Sequence, residues 1–217
     1  MGVYFFTQFI KSKELPDLYG DGAFPINYPN IWDRRSGRTG DGMWLHGTPS
    51  EIFSRPPEDS NGCVIISNDD LKTLSPFIVL NQTTPVILAQ EIEWITKDQW
   101  QLRQKSFTSY LEQWRKDWES RDADLYLSHY SKDYEGLGKN YDSWAEHKRR
   151  VNPTKAFIKV NLADTSIFSY PGGTEPILVV TFKQNYSSDS FQRVYRKRQY
   201  WWMEKDGRWR IIFEGSV

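Results

Sequence analysis

Two residues stand out as able to do chemistry together: His46 and Cys63, 17 positions apart. The thiolate is the reactive form of cysteine, and a base or cation beside the thiol raises its fraction. Histidine suits that task because its pKa lies close to working pH. The flanking stretches, His46-Gly47-Thr48-Pro49 and Ser60-Asn61-Gly62-Cys63-Val64, read as loop or strand ends that can bring the pair together. Gly62 allows close backbone approach, so amides near Cys63 would face a developing oxyanion. No Asn or Asp partner for the imidazole is evident, and a backbone carbonyl would orient the ring instead. The same cysteine, followed by Val64-Ile65-Ile66, would equally suit a core position, because free cysteine is among the most buried residue types. One cysteine and three histidines offer no metal-ligand spacing, and no cofactor is expected.

The elements that must position this pair are short. Residues 3–10 read as a strand rich in Val, Tyr, Phe and Ile. Residues 15–62 are dense in Gly, Pro, Asn and Asp, with Met43-Trp44-Leu45 as their clear apolar interruption. So long an irregular stretch in a compact domain is usually functional. Ser67-Asn68-Asp69-Asp70 offers N-caps for a short helix around Leu71 to Leu74. Thr84 to Leu88 reads as a strand, and Gln90 to Ile95 is expected to extend it out of the domain.

From Thr96 the pattern changes. Phe107, Tyr110, Leu111, Trp114 and Trp118 recur at three and four residues, the face of a long helix. Asp122 can cap a second helix carrying Leu125, Tyr126 and Tyr130, and Tyr141 to Arg150 reads as a third. Period-two strands follow: Ile158 to Leu162, Ile177 to Tyr186, Gln192 to Glu204 and Trp209 to Glu214, with Asp206-Gly207 as a tight hairpin turn. Helices followed by a curved antiparallel sheet predict an α+β class.

Composition agrees with a folded chain of one large or two small domains. Among 217 residues, 16% are aromatic and 10 are Trp, too much ring-bearing mass for disorder. No apolar run approaches the roughly 20 residues of a membrane span. The 28 basic and 28 acidic residues balance, which gives no reason to expect a nucleic-acid partner. The balance hides an asymmetry. Residues 1–95 carry 7 basic and 12 acidic side chains, residues 96–217 carry 21 and 16, and seven of the ten Trp lie in the second part. Two domains are therefore expected, 1–95 and 98–217. The first residues, Met1-Gly2-Val3-Tyr4-Phe5-Phe6, do not read as a signal peptide.

His46-Gly47-Thr48 followed by Ser60-Asn61-Gly62-Cys63-Val64 resembles the signature of the L,D-transpeptidase (YkuD-type) catalytic domain, and Asn68-Asp69 and Thr84-Pro85-Val86-Ile87 resemble that family's tail. The resemblance spans roughly Val3 to Ile92. It implies a β-rich fold in which Cys63 attacks a carbonyl of a peptidoglycan stem peptide, D-alanine leaves, and water or an acceptor amine resolves the thioester. His46 would be the base and then the acid, and Gly47 would lend its carbonyl to the imidazole. Gly62 and Cys63 would supply oxyanion amides, and Ser60 would shape the loop. Ser60, Asn61, Arg34, Arg35, Arg55, Trp44 and Tyr28 are the candidate substrate-binding residues, with the arginines suited to stem carboxylates. A cell-envelope or periplasmic location follows from the same resemblance.

Three departures from the family pattern matter. Asn61 stands where the family often has His. Ile65 stands where it often has Arg or Asn, which removes a polar substrate contact. The chain also starts at the family's middle, so the catalytic domain is expected to be N-terminally incomplete, or completed by another segment. Residues 98–217 resemble the nuclear-transport-factor-like (SnoaL-like) cone fold through Trp114 to Trp118, Asp122 to Tyr134, Trp144 to Lys148 and Trp209-Arg210-Ile211-Ile212. The pairing resembles that of cell-shape L,D-carboxypeptidases, so trimming is considered beside cross-linking. The alternative is an inactive module that binds cell wall or a partner.

Overall fold

The computed structural model describes residues 1–56, 59–81, 83–172 and 175–217. The chain divides into two compact units, Met1–Ala89 and Gln90–Val217.

In the first unit, β1 (Gly2–Phe5) pairs antiparallel with a strand near the unit's end. Next come β2 (Ile10–Lys11), β3 (Gly22–Pro25), helix α1 (Ile31–Arg35), β4 (Trp44–His46), β5 (Val64–Ile65), helix α2 (Asn68–Leu74) and β6 (Pro85–Leu88), the partner of β1. Strands β2, β3, β4 and β5 form one sheet in that order, antiparallel except for the parallel pair β4–β5. Its core is small: Tyr4, Phe6, Phe24, Ile26, Leu45 and Leu71. The stretch expected to be irregular thus holds two elements that its Gly and Pro disguised. One is β3, Gly22-Ala23-Phe24-Pro25, buried throughout. The other is α1, started by a capping box in which Asn30 and Asp33 exchange side-chain to backbone bonds. The expected extension through Gln90 to Ile95 does not form: β6 stops at Leu88, and Glu91, Ile92 and Trp94 lie exposed, with no strand among the described residues pairing with them.

The second unit begins with α3 (Lys97–Glu119), α4 (Ala123–Leu127), the small hairpin β7 (Glu135–Gly136) and β8 (Lys139–Asn140), and α5 (Tyr141–Val151). The long strands β9 (Ile158–Ser169), β10 (Ile177–Ser188), β11 (Gln192–Met203) and β12 (Trp209–Ser216) then form an antiparallel meander. Ladder irregularities at Thr181/Lys183 and Tyr200/Trp201 bend it, as bulges do. Asp122 caps α4 through Asp124 and Leu125. The Asp206-Gly207 turn is a three-residue loop, Lys205 to Gly207, with Gly207 left-handed at φ 76°. Phe107, Leu111, Trp114 and Trp118 bury one stripe of α3 against Tyr126, Trp144, Phe182 and Trp201. Tyr110 and Leu125, expected on apolar faces, are 36% and 50% exposed, because each lies one position off its helix's buried stripe. The fold class is α+β, as the order of helices and strands indicated.

Within this core, polar groups form a chain. Tyr126 and Tyr130 share a 2.5 Å hydrogen bond, Tyr130 donates to Glu214, and Gln199 links Glu214 to Trp201. The Lys148 ammonium lies 4.4 to 5.0 Å from the ring centres of Trp144, Trp118 and Tyr126, and burial pushes its pKa down to about 8.

Candidate active site

Strand β4 carries His46 at its end, and β5 starts one residue after Cys63. In the parallel ladder Leu45 opposes Val64 and His46 opposes Ile65. Cys63 directly precedes this ladder, so β4 and β5 bring the chain segments of His46 and Cys63 side by side. Only a three-residue and a two-residue strand hold this arrangement, so the rest of the positioning falls to side chains.

His46 is buried, 3% exposed. Its Nδ1 lies 2.7 Å from the Gly47 carbonyl oxygen. A carbonyl can only accept, so Nδ1 carries the proton and Nε2 keeps its lone pair. Burial pushes the imidazole pKa down, the Gly47 hydrogen bond partly restores it, and the Arg55 charge lowers it further. At neutral pH the ring is therefore neutral, a proton acceptor at Nε2. Tyr19 meets the imidazole edge to face, ring centres 5.0 Å apart, and packs against Trp44 at the same distance.

Cys63 is half-buried, and its thiol donates to the Gly42 carbonyl at 3.3 Å. Ser60 organises the turn before it. The Ser60 hydroxyl donates to the Cys63 carbonyl at 2.7 Å and accepts from the Gly62 amide at 3.3 Å. Gly62 has φ 115°, a backbone state that side chains resist, so glycine is favoured here. Its amide is thus engaged by Ser60 through a long bond, and Asn61 is exposed at the tip of the turn.

The other expected contacts fall in different places. Arg55 bonds Asp59 at 2.9 Å, and its charge is felt at His46. Arg34 and Arg35 lie in the exposed last turn of α1, a helix fastened to β1 through Asn30 on the Val3 carbonyl and Asp33 on the Tyr4 hydroxyl. Arg38 pairs with the buried Asp33 at 3.0 Å. Tyr28 donates to the Thr39 carbonyl at 3.0 Å and packs on the small core, a supporting position. Sequence reasoning missed Tyr19, whose place beside His46 rests on contacts across 27 residues of chain, and saw Asn68 as part of a helix start and of the family's tail, without a role at His46. Among the described residues no group of three or more His, Cys, Asp or Glu gathers as a metal site. Among them, no helix is long and apolar enough to cross a membrane.

Residues 1–88 match the L,D-transpeptidase catalytic domain (YkuD), and residues 106–215 match the Cds6 C-terminal NTF2-like domain. The chain is similar to the solved structure of Bd1075 from Bdellovibrio bacteriovorus, with 31% identity, a TM-score of 0.88, and coverage of 100% of this chain and 78% of that one. It is also similar to the helical cell shape determining protein Pgp2 from Campylobacter jejuni, with 24% identity, a TM-score of 0.77, and coverage of 99% and 74%. No curated protein matches the chain by sequence.

Proposed function

From a chain that belongs to the family joining an L,D-transpeptidase catalytic domain to an NTF2-like domain, we infer a cysteine enzyme that trims or joins peptidoglycan stem peptides at Cys63. The observation that carries this reading is the His46 ring, held with Nδ1–H on the Gly47 carbonyl at the end of a strand whose parallel partner begins directly after Cys63.

His46 Nε2 takes the thiol proton, and the thiolate attacks the carbonyl of the stem's third residue. To do so the thiol leaves the Gly42 carbonyl. The tetrahedral oxyanion faces the Cys63 and Gly62 amides, the latter released from its long bond to Ser60. The C–N bond to the terminal D-alanine breaks as His46 returns the proton to the leaving amine. The thioester is then resolved by water, giving a tripeptide and the free thiol, or by an acceptor stem's amine, giving a cross-link. Trp44 and Tyr19 wall the face beside His46, and Arg55, whose charge is felt at His46, would turn from Asp59 to a stem carboxylate.

Ile65 biases the second half. It stands opposite His46 in the ladder, where it offers an incoming amine no hydrogen bond. A lost charged hydrogen bond is worth about 1.5–3 kcal/mol, roughly ten- to hundredfold in partitioning. Water needs no such site, so hydrolysis at least matches cross-linking. We assign the chemistry to residues 1–95, an accessory role to residues 98–217, and the place of action to the cell envelope, where the substrate lies.

Mass analysis of disaccharide-tetrapeptide digests tests this. Loss of one D-alanine is expected to equal or exceed dimer formation. Dominant dimers with tripeptide at background overturn the bias. No product, with Cys63 unmodified by a thiol-reactive acyl analogue, identifies an inactive binding module instead.

A further inference from the structure

The Asn68 carboxamide ties together two turns that each touch the His46 ring. Its Oδ1 accepts from the Asp21 amide at 3.0 Å, and its Nδ2 donates to the Thr48 carbonyl at 2.9 Å. The first turn directly follows Tyr19, whose ring meets the imidazole, and the second directly follows Gly47, whose carbonyl holds Nδ1. The carboxamide fits because both turns lack a side chain where it passes. A methyl group on Gly20 or on Gly47 would fall on the Asn68 amide oxygen. Gly20 is left-handed as well, at φ 59°.

Capping α2 requires none of this. Ser67 supplies that cap, its hydroxyl accepting from the Asp70 amide at 3.0 Å. The Asn68 side chain instead uses both its donor and its acceptor on backbone groups 20 and 47 residues away. Those are the two segments that hold the ring.

We propose that Asn68 is a positioning residue for His46, fixing the imidazole's orientation and its Nδ1–H tautomer by clasping the Tyr19–Asp21 and Gly47–Thr48 turns. The inference rests on the reading of His46 as the base for Cys63. Without the clasp the Gly47 carbonyl and the Tyr19 ring are free to shift. The ring then samples orientations in which Nε2 is lost as the acceptor for the thiol proton. Misplacement of this kind slows chemistry by up to about 100-fold without removing any reacting group.

The test uses the full chain and three variants, Asn68→Ala, Asn68→Asp and His46→Gln. Asn68→Asp keeps the shape and the acceptor for Asp21 but loses the donor to Thr48, and it serves if Asn68→Ala does not fold. Nitrogen NMR of the imidazoles reads the tautomer, with the His46 signal identified by its loss in His46→Gln. The parent protein is expected to hold the Nδ1–H form, and the Asn68 variants a mixture. D-Alanine release should fall on the order of 10- to 100-fold in those variants. Alkylation of Cys63 at high pH, where the thiolate forms without a base, should be unchanged. Asn68 variants with the parent's tautomer and rate, altered only in melting temperature, overturn the proposal. If His46→Gln retains the parent's release rate, the reading of His46 fails, while the NMR result still decides whether Asn68 sets the ring.

Discussion

The two units of this chain are held together by opposite means. The second has four strands of eight to twelve residues, a 23-residue helix and a core built from stacked Trp, Tyr and Phe rings. Its order comes from ladders and area burial, which are cooperative and tolerant of surface change. The first has strands of two to four residues, and its candidate site is fixed by single side-chain to backbone bonds from Ser60, Asn68 and His46 itself. The contrast teaches where each function can reside. Reactive groups need irregular backbone, positive φ and open hydrogen-bonding valences, and such features survive in loops pinned at a few points.

That comparison can be broken in four places. The largest effect is expected from Cys63→Ala, which should abolish D-alanine release by more than about 1,000-fold while leaving the thermal transition of the chain in place. Retained activity in this variant would remove the chemistry from the first unit altogether. Trp114→Ala strikes the other unit. This fully buried ring should be worth about 3–5 kcal/mol, read by denaturant unfolding, with the alkylation rate of Cys63 unchanged. A matching fall in Cys63 reactivity would mean that the order of the first unit depends on the core of the second.

Gly62→Ala sharpens the local part of the contrast. Space for the methyl exists, since its nearest neighbour is Met43 Cε at 4.0 Å, so the strain is purely that of φ 115°. About 1–2 kcal/mol of destabilisation is expected, together with slower acylation as the Ser60-to-Cys63 turn relaxes. A variant as stable and as fast as the parent shows that the turn is not under conformational control.

The subtlest effect is on pH. His46 has a lowered folded pKa, so the acid limb of D-alanine release should lie below the ordinary histidine value of about 6.5. Removing a nearby positive charge with Arg55→Gln should move that limb upward. The stability contribution has the same origin. As pH falls through the ordinary value the unfolded chain takes up the proton first, so stability declines there and levels off below the folded pKa. A pH–rate profile that is the same in both proteins would separate Arg55 from the site.

Much of the second unit was legible in the sequence because its signals are periodic. The spacing of Phe107, Leu111, Trp114 and Trp118 is a helix face whatever surrounds it, and Asp122 is a cap by its own chemistry. The ends of that pattern were less legible. Tyr110 and Leu125 look apolar in sequence and lie exposed in space, because only packing decides how wide the buried stripe is. In the first unit, β3 and α1 were hidden by the glycines and prolines that bound them, since short elements carry too few residues for a period to show.

The sequence by itself determined the α+β class and the chemical types at 46 and 63. Both follow from local rules: periodicity, capping, and the reactivity of a thiol near an imidazole. Only the tertiary structure decided that Tyr19 lies against His46, that Arg38 serves Asp33, and that Asn68 reaches back 20 and 47 residues to two backbone groups. Those contacts depend on directions in space that no spacing along the chain encodes, because each joins groups whose orientation is set by the packed backbone around them.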